Sequence, residues 1–170
     1  LQKALISLET GFSGLDRIFN LSKQQIEKKL KENIPNKILL VAEGIRKKIS
    51  LDKIFKLSKI DPWFLGQIKE IVDCEINLKK IGLPKNFTEF NRIKSIGFSD
   101  KKLSELTNLS EDVVRKKRIA LKILPVYKKV DTCAAEFKSF TPYMYSTYQR
   151  NFSIVSECEA EPTSKKKIII

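Results

Sequence analysis

An all-α, multihelical chain is the fold class this sequence predicts: two small helical bundles followed by an extended, aromatic-rich segment. Three observations predict it. Apolar residues recur at three- and four-residue spacing through most of the stretch from Leu1 to Ile123. Ser, Asp or Asn precedes most of these runs, and Gly, Asn or Pro follows, as helix caps and stops require. Past Pro125 the helical period disappears, and neither it nor strict alternation runs through Val126 to Tyr148.

Taken in order, Leu1 to Glu9 continues an amphipathic helix with Leu1, Ala4, Leu5 and Leu8 on one face, and Gly11 and Gly14 open a loop after it. Ser22 starts a second helix, with Gln25 at the capping-box position, and Pro35 closes it. Asn36 begins a third, with Ile38, Leu39, Val41, Ala42, Ile45 and Ile49 inward. Ser50 caps a short helix holding Leu51, Ile54, Phe55 and Leu57. The clearest start is Asp61-Pro62-Trp63-Phe64, with Asp61 as N-cap and Pro62 at the first helical position. Trp63, Phe64, Ile68, Ile71, Val72 and Leu78 are expected to form its buried face, which Gly82 and Pro84 end. Three shorter helices follow, at Asn86 to Ser95, Ser99 to Thr107 and Ser110 to Ile123, with Gly97 and Asn108 in the turns.

The Gly82–Leu83–Pro84 break divides residues 1–81, a first bundle, from 82–125, a second and smaller one. Residues 126–149 are then an extended docking segment, 150–167 a polar linker with Pro162, and 168–170 the start of a following strand. Both ends read as cut from a longer polypeptide. LQKALISLE reads as the middle of a helix, and KKKIII as a strand beginning.

Composition narrows the chemistry. At 170 residues and 42% hydrophobic, the chain can bury about 70% of its unfolded surface. No run approaches the ~20 apolar residues that span a bilayer, so a soluble, cytoplasmic protein is expected. The chain has no histidine, which removes the commonest general base and every Ser-His-Asp or Cys-His nucleophile system. No phosphate loop, no DxDxDG-like loop and no ExxH pair is present. Cys74, Cys133 and Cys158 are far apart and lack CxxC spacing, so free thiols in a reducing compartment are expected.

The net charge of +13 raises the question of nucleic acid. Of 33 basic residues 27 are Lys and 6 Arg, whereas Arg is preferred for bidentate recognition of guanine and phosphate. The lysines are scattered as on a solvated helical face. Ser99 to Leu121 has helix-turn-helix spacing, which supplies an alternative reading as a nucleic-acid-binding domain. Against it, the first turn of the second helix holds Glu111 and Asp112, which repel phosphate, while Arg115, Lys116, Lys117 and Arg118 come late.

Residues 137–148 crowd Tyr143, Tyr145, Tyr148, Phe137 and Phe140 among polar neighbours. Such a segment lies extended against a larger body, with rings buried and hydroxyls hydrogen-bonded. Packing in an interior joint and a ligand-binding aromatic patch are both open on the residues alone.

Several runs carry a family resemblance: LQKALISLETGFSG, IDPWFLGQIKEIV, PVYKKVDTCAAEF, PYMYSTY and the terminal KKKIII. Together they resemble the oligomerisation (connection) domain of the large subunit of carbamoyl phosphate synthetase, across essentially the whole chain. Pro142 stands where the family usually has alanine, and Gln24 to Asn36 is loosely matched. The resemblance implies a helical connector between two ATP-grasp halves. One half makes carboxyphosphate and then carbamate, and the other phosphorylates carbamate. The parent is then a glutamine-hydrolysing, ATP-dependent ligase using bicarbonate and glutamine-derived ammonia, with ATP, magnesium or manganese, and potassium bound outside this segment. Implied partners are the two synthetase halves, other large subunits and the amidotransferase small subunit, with no nucleic acid and no membrane. No catalytic, cofactor or metal residue is expected here. Interdomain docking is assigned to Tyr127, Asp131, Thr132, Cys133, Glu136, Phe137, Tyr143, Tyr145 and Tyr148.

Overall fold

The computed structural model describes residues 1–130, 136–137, 143–149, 158–161 and 163–164. Of the docking residues, Asp131, Thr132 and Cys133 lie outside the described residues, as do Phe140, most of the 150–167 stretch and all of 168–170. Among the described residues the architecture is helical, with one small two-stranded sheet. The helices are α1 (Gln2–Ser7), α2 (Lys23–Lys29), α3 (Lys37–Arg46), α4 (Leu51–Ser58), α5 (Pro62–Ile81), α6 (Phe87–Ile96), α7 (Asp100–Thr107) and α8 (Glu111–Ala120).

The caps form as their residue types dictate. Ser22 accepts from the Gln25 amide and Gln25 reaches back to the Ser22 amide, a complete capping box on α2. Ser50, Asp61, Asn86, Ser99 and Ser110 each accept a backbone N–H in the first turn of α4 to α8. Pro62 occupies the first turn of α5, where no intrahelical donor is lost. Lys59, Gly97 and Asn108 end α4, α6 and α7 in the left-handed conformation. At Gly97 (φ 103°) an added Cβ would also press to 3.4 Å from the Gln2 side chain, so α1 approaches this turn closely.

α5 is the central element, packing against α3, α4 and α7. Its buried stripe is Leu65, Ile68, Ile71, Val72, Cys74, Glu75 and Leu78. One apolar cluster takes in Leu15, Ile26, Leu39, Leu40 and Ile54 before the Gly82–Leu83–Pro84 break and Phe90, Phe98, Leu103, Val114 and Ile123 after it. Each such large side chain contributes about 1.5–3 kcal/mol on burial.

Two expectations fail at helix starts. Trp63 and Phe64 are not core: they are 64% and 57% exposed. The buried stripe of α5 begins at Leu65, and among the described residues no element covers the side of the first turn where the two aromatics stand. In α1, Leu5 is buried together with Gln2, while Leu1 and Leu8 are exposed. α1 is only six residues long. It is placed by the Gln2 amide, which donates to the Ile96 carbonyl at 3.3 Å, rather than by a full apolar face.

Past Pro125 two strands form, β1 (Val126–Lys129) and β2 (Met144–Thr147). They pair antiparallel, Val126 with Thr147 and Lys129 with Met144. Opposed residues share a face of the ribbon, so Tyr127 lies with Ser146 on one side and Lys128 with Tyr145 on the other.

Candidate interaction surface

The lysine-rich pattern does not stay wholly on a solvated face. Lys94 and Lys102 are buried, and each is neutralised. Lys94 on α6 donates to Asp100 at 2.7 Å and to the Phe98 carbonyl at 2.7 Å. Arg118 on α8 donates to the other side of Asp100 at 3.0 Å and to the Ile123 carbonyl at 2.9 Å. Burial pushes the Asp100 carboxyl up, but its bonds with Lys94 and Arg118 outweigh this and hold it below the usual carboxylate value. Burial pulls the Lys94 ammonium below its ordinary value. Lys102 pairs with Asp16, which also accepts from Ser13. Arg46 is buried among Glu43, Glu75 and the Leu15 carbonyl. Of these charges, Lys94 and Lys102 were expected on solvated helix faces with the other lysines. The signal that could have found them is an Asp or Glu brought opposite by the neighbouring helix, which one-dimensional spacing does not display.

The Lys94–Asp100–Arg118 cluster is where the hairpin attaches. The Tyr148 ring, half-buried, lies with its centroid 4.9 Å from Lys94 Nζ and 5.8 Å from the Arg118 guanidinium carbon. Burial pushes the Tyr148 phenol up. Lys3 on α1 donates to the Ser146 carbonyl at 2.7 Å, and Asn91 on α6 donates to the Gln149 carbonyl at 2.8 Å. On the far strand, Glu159 donates its amide to the Tyr127 carbonyl at 2.8 Å, and its carboxylate accepts from the Lys129 amide at 2.6 Å. The Tyr127 amide donates to Cys158 Sγ at 3.5 Å, which lowers that half-buried thiol's pKa. Cys74 is a buried free thiol.

Of the sequence-assigned docking residues, the structure therefore seats Tyr148 on the helical body and brings Tyr127, Tyr143 and Tyr145 together on one ribbon. The rings of Tyr127, Tyr143 and Tyr145 are not buried as expected. Tyr143 is 71% and Tyr145 50% exposed, because only the Tyr148 end of β2 meets the helices. Glu136 and Phe137 are exposed as well. Elsewhere Trp63 and Phe64, in edge-to-face contact at 5.0 Å, stand over a groove of about 530 Å³. In α8, Glu111 and Asp112 occupy the first turn and pair with Arg115 at 2.7 and 3.4 Å. Among the described residues no three His, Cys, Asp or Glu side chains gather into a possible metal site, and no helix is long and apolar enough to cross a membrane.

The described residues thus form a helical body carrying a latched ribbon and two exposed aromatic surfaces. Residues 1–122 match the family described as carbamoyl-phosphate synthetase large chain, oligomerisation domain. The chain is 46% identical over 174 residues to the carbamoyl phosphate synthase large chain of Haemophilus ducreyi. It is 47% identical over 174 residues to that of Pasteurella multocida, and 42% over 176 to that of Brucella melitensis. Each match covers all of this chain and 15% of the relative, so the chain spans about 15% of the length of the curated relatives it matches. The chain belongs to the family of carbamoyl-phosphate synthetase large chain oligomerisation domains.

Proposed function

We propose that this chain is the connector of a carbamoyl phosphate synthase large chain, docking its two ATP-grasp halves and joining large chains to one another. The parent reaction in this reading is ATP-dependent synthesis of carbamoyl phosphate from bicarbonate and ammonia, the ammonia arriving from a glutamine amidotransferase small subunit in the cytoplasm. ATP, magnesium or manganese, and potassium belong to the synthetase halves. This segment acts by position alone.

The observation that carries the reading is the ribbon. It is fixed at one end by Tyr148 on the Lys94–Asp100–Arg118 cluster, yet Tyr127, Tyr143 and Tyr145 remain at least 45% exposed. Tyr rings supply large contact area at low entropic cost and are enriched at interfaces. A ribbon held rigidly with its aromatics outward is suited to being covered by a neighbouring domain. Asp131, Thr132, Cys133, Glu136 and Phe137 extend the same docking segment in this proposal.

Amine cross-linking of the intact large chain with peptide mass spectrometry tests it. Lys128 and Lys129 are expected to link to both synthetase halves of the same polypeptide. Links confined to the helices of this domain would contradict the connector role. Strong, salt-dependent binding of duplex DNA by this chain would instead favour a nucleic-acid module built on α7 and α8.

A further inference from the structure

We infer that Cys158 and Glu159 form an edge guard: they occupy the open side of β1 and close the ribbon to strand addition, so that partners meet its side-chain faces rather than its backbone edges. This goes beyond the connector reading and does not depend on it, because every contact of the guard is made within this chain. A two-stranded ribbon leaves a row of backbone donors and acceptors on each outer side, and such a row pairs readily with a strand of another chain. In β1 the register fixes which groups these are. The Val130 amide donates to the Tyr143 carbonyl at 2.9 Å, so alternate residues back from Val130 turn to β2, while Tyr127 and Lys129 turn outward.

Those outward groups are taken. The Tyr127 carbonyl accepts from the Glu159 amide at 2.8 Å, the Tyr127 amide donates to Cys158 Sγ at 3.5 Å, and the Lys129 amide donates to the Glu159 carboxylate at 2.6 Å. Only the first is an ordinary ladder bond. In the other two a thiol and a carboxylate stand where the carbonyls of a neighbouring strand would, and no third strand forms among the described residues. The second carboxylate oxygen of Glu159 lies 3.9 Å from Lys128 Nζ, which anchors the guard to the strand it covers. The opposite edge is blunted in the same way. Ser146 lies across from Tyr127 and so faces away from β1, and its carbonyl accepts from the Lys3 ammonium at 2.7 Å. Charged side chains at edge strands are a common barrier to edge-to-edge pairing. Here Glu159 and Lys3 make the edge bonds themselves.

The strand that the guard keeps out is the β1 of a second copy. Copies of an oligomerisation domain are held near one another. An open β1 would pair with the β1 of its neighbour, antiparallel about a two-fold axis. Short strands with little alternation set their register weakly, and VYKK is four residues long. Such pairing is a hazard to ordered assembly, and the guard removes it.

Amide exchange of the intact large chain, read residue by residue, tests the inference together with light scattering. Glu159→Pro removes both the amide donor and the carboxylate, whereas Glu159→Gln keeps a backbone donor and a side-chain acceptor. In dilute Glu159→Pro the Lys129 amide is expected to exchange roughly tenfold faster than in the parent, while Lys128, Val130 and α5 keep their protection. In Glu159→Gln it should stay within about threefold of the parent. On concentration, Glu159→Pro should gain mass beyond the parent's by light scattering, and Glu159→Gln should match the parent. Unchanged exchange at Lys129 in Glu159→Pro overturns the inference, because something other than Glu159 then covers the edge. Faster exchange with no added mass at any concentration also overturns it, since an edge that pairs with nothing needs no guard. If α5 loses protection in Glu159→Pro, the fold is damaged, and Glu159→Ala, which removes the carboxylate alone, is judged by the same two results.

Discussion

Lys94 Nζ sits 4.9 Å from the centroid of the Tyr148 ring, and this contact ties the buried end of α6 to the ribbon that follows the helices. The same ammonium holds Asp100, which in turn holds Arg118 against the ring's other approach. One buried charge cluster therefore serves two purposes. It closes α6, α7 and α8 on one another and gives the ribbon its seat.

Removing the ring should free the ribbon and leave the helices folded. Tyr148→Ala is expected to cost about 0.5–2 kcal/mol, the range of a partly desolvated cation–π contact. Amide exchange should accelerate in Val126–Lys129 while α5 amides keep their protection. Unchanged exchange in β1 would mean that the Lys3 and Asn91 bonds to the Ser146 and Gln149 carbonyls hold the ribbon without Tyr148.

Asp100 makes the seat acid-sensitive. Its carboxyl is held below the usual 3.8, with Lys94 and Arg118 overcoming the opposing effect of burial. A depressed folded pKa gives stability that is complete above the unfolded value and is lost as pH falls through the lower folded value. Asp100→Asn leaves two buried cations without their partner and should cost about 3–5 kcal/mol at neutral pH. The difference between mutant and parent should shrink as both are titrated below 3.8. Denaturant melts at several pH values check this, and a constant difference would contradict it.

Core position and surface position should separate cleanly in two large-to-small changes. Phe90 is fully buried, so Phe90→Ala is expected to cost about 3–5 kcal/mol. Trp63 is 64% exposed, so Trp63→Ala should lie within about 0.5 kcal/mol of the parent in this chain. Thermal unfolding of both variants decides the matter. A large loss at Trp63 would place it in the core after all.

Lys59 ends α4 at φ 59°, a left-handed conformation in which its Cβ is strained. Lys59→Gly should stabilise the chain by about 0.4–1 kcal/mol. A loss on denaturant unfolding would show that the lysine side chain contributes more than the strain costs.

The helical part of the fold was legible because its signals are local. Ser22 with Gln25, Asp61 with Pro62, and Ser99 and Ser110 each act within one turn, and each forms in the structure. Trp63 and Phe64 were misread because apolar residues fill the whole first turn of α5. The stripe is phased by later residues, and a heptad back from Val72 reaches Leu65, not Trp63. The strands escaped notice for a different reason. VYKK and MYST are four residues each, with little alternation, and Lys129 pairs with Met144 across a long sequence separation. The charge cluster was equally invisible, since Lys94, Asp100 and Arg118 meet only once three helices have packed.

The docking of the ribbon by the synthetase halves is the central claim, and hydrogen exchange of Val126–Lys129 and Met144–Thr147 tests it most directly. The measurement compares this chain alone with the intact large chain. Coverage of Tyr127, Tyr143 and Tyr145 by neighbouring domains predicts markedly slower exchange of both strands in the intact chain. Equal, strong protection in both would contradict the account, because the ribbon's seat on this domain's helices would then account for all its protection and the neighbouring domains would add no cover.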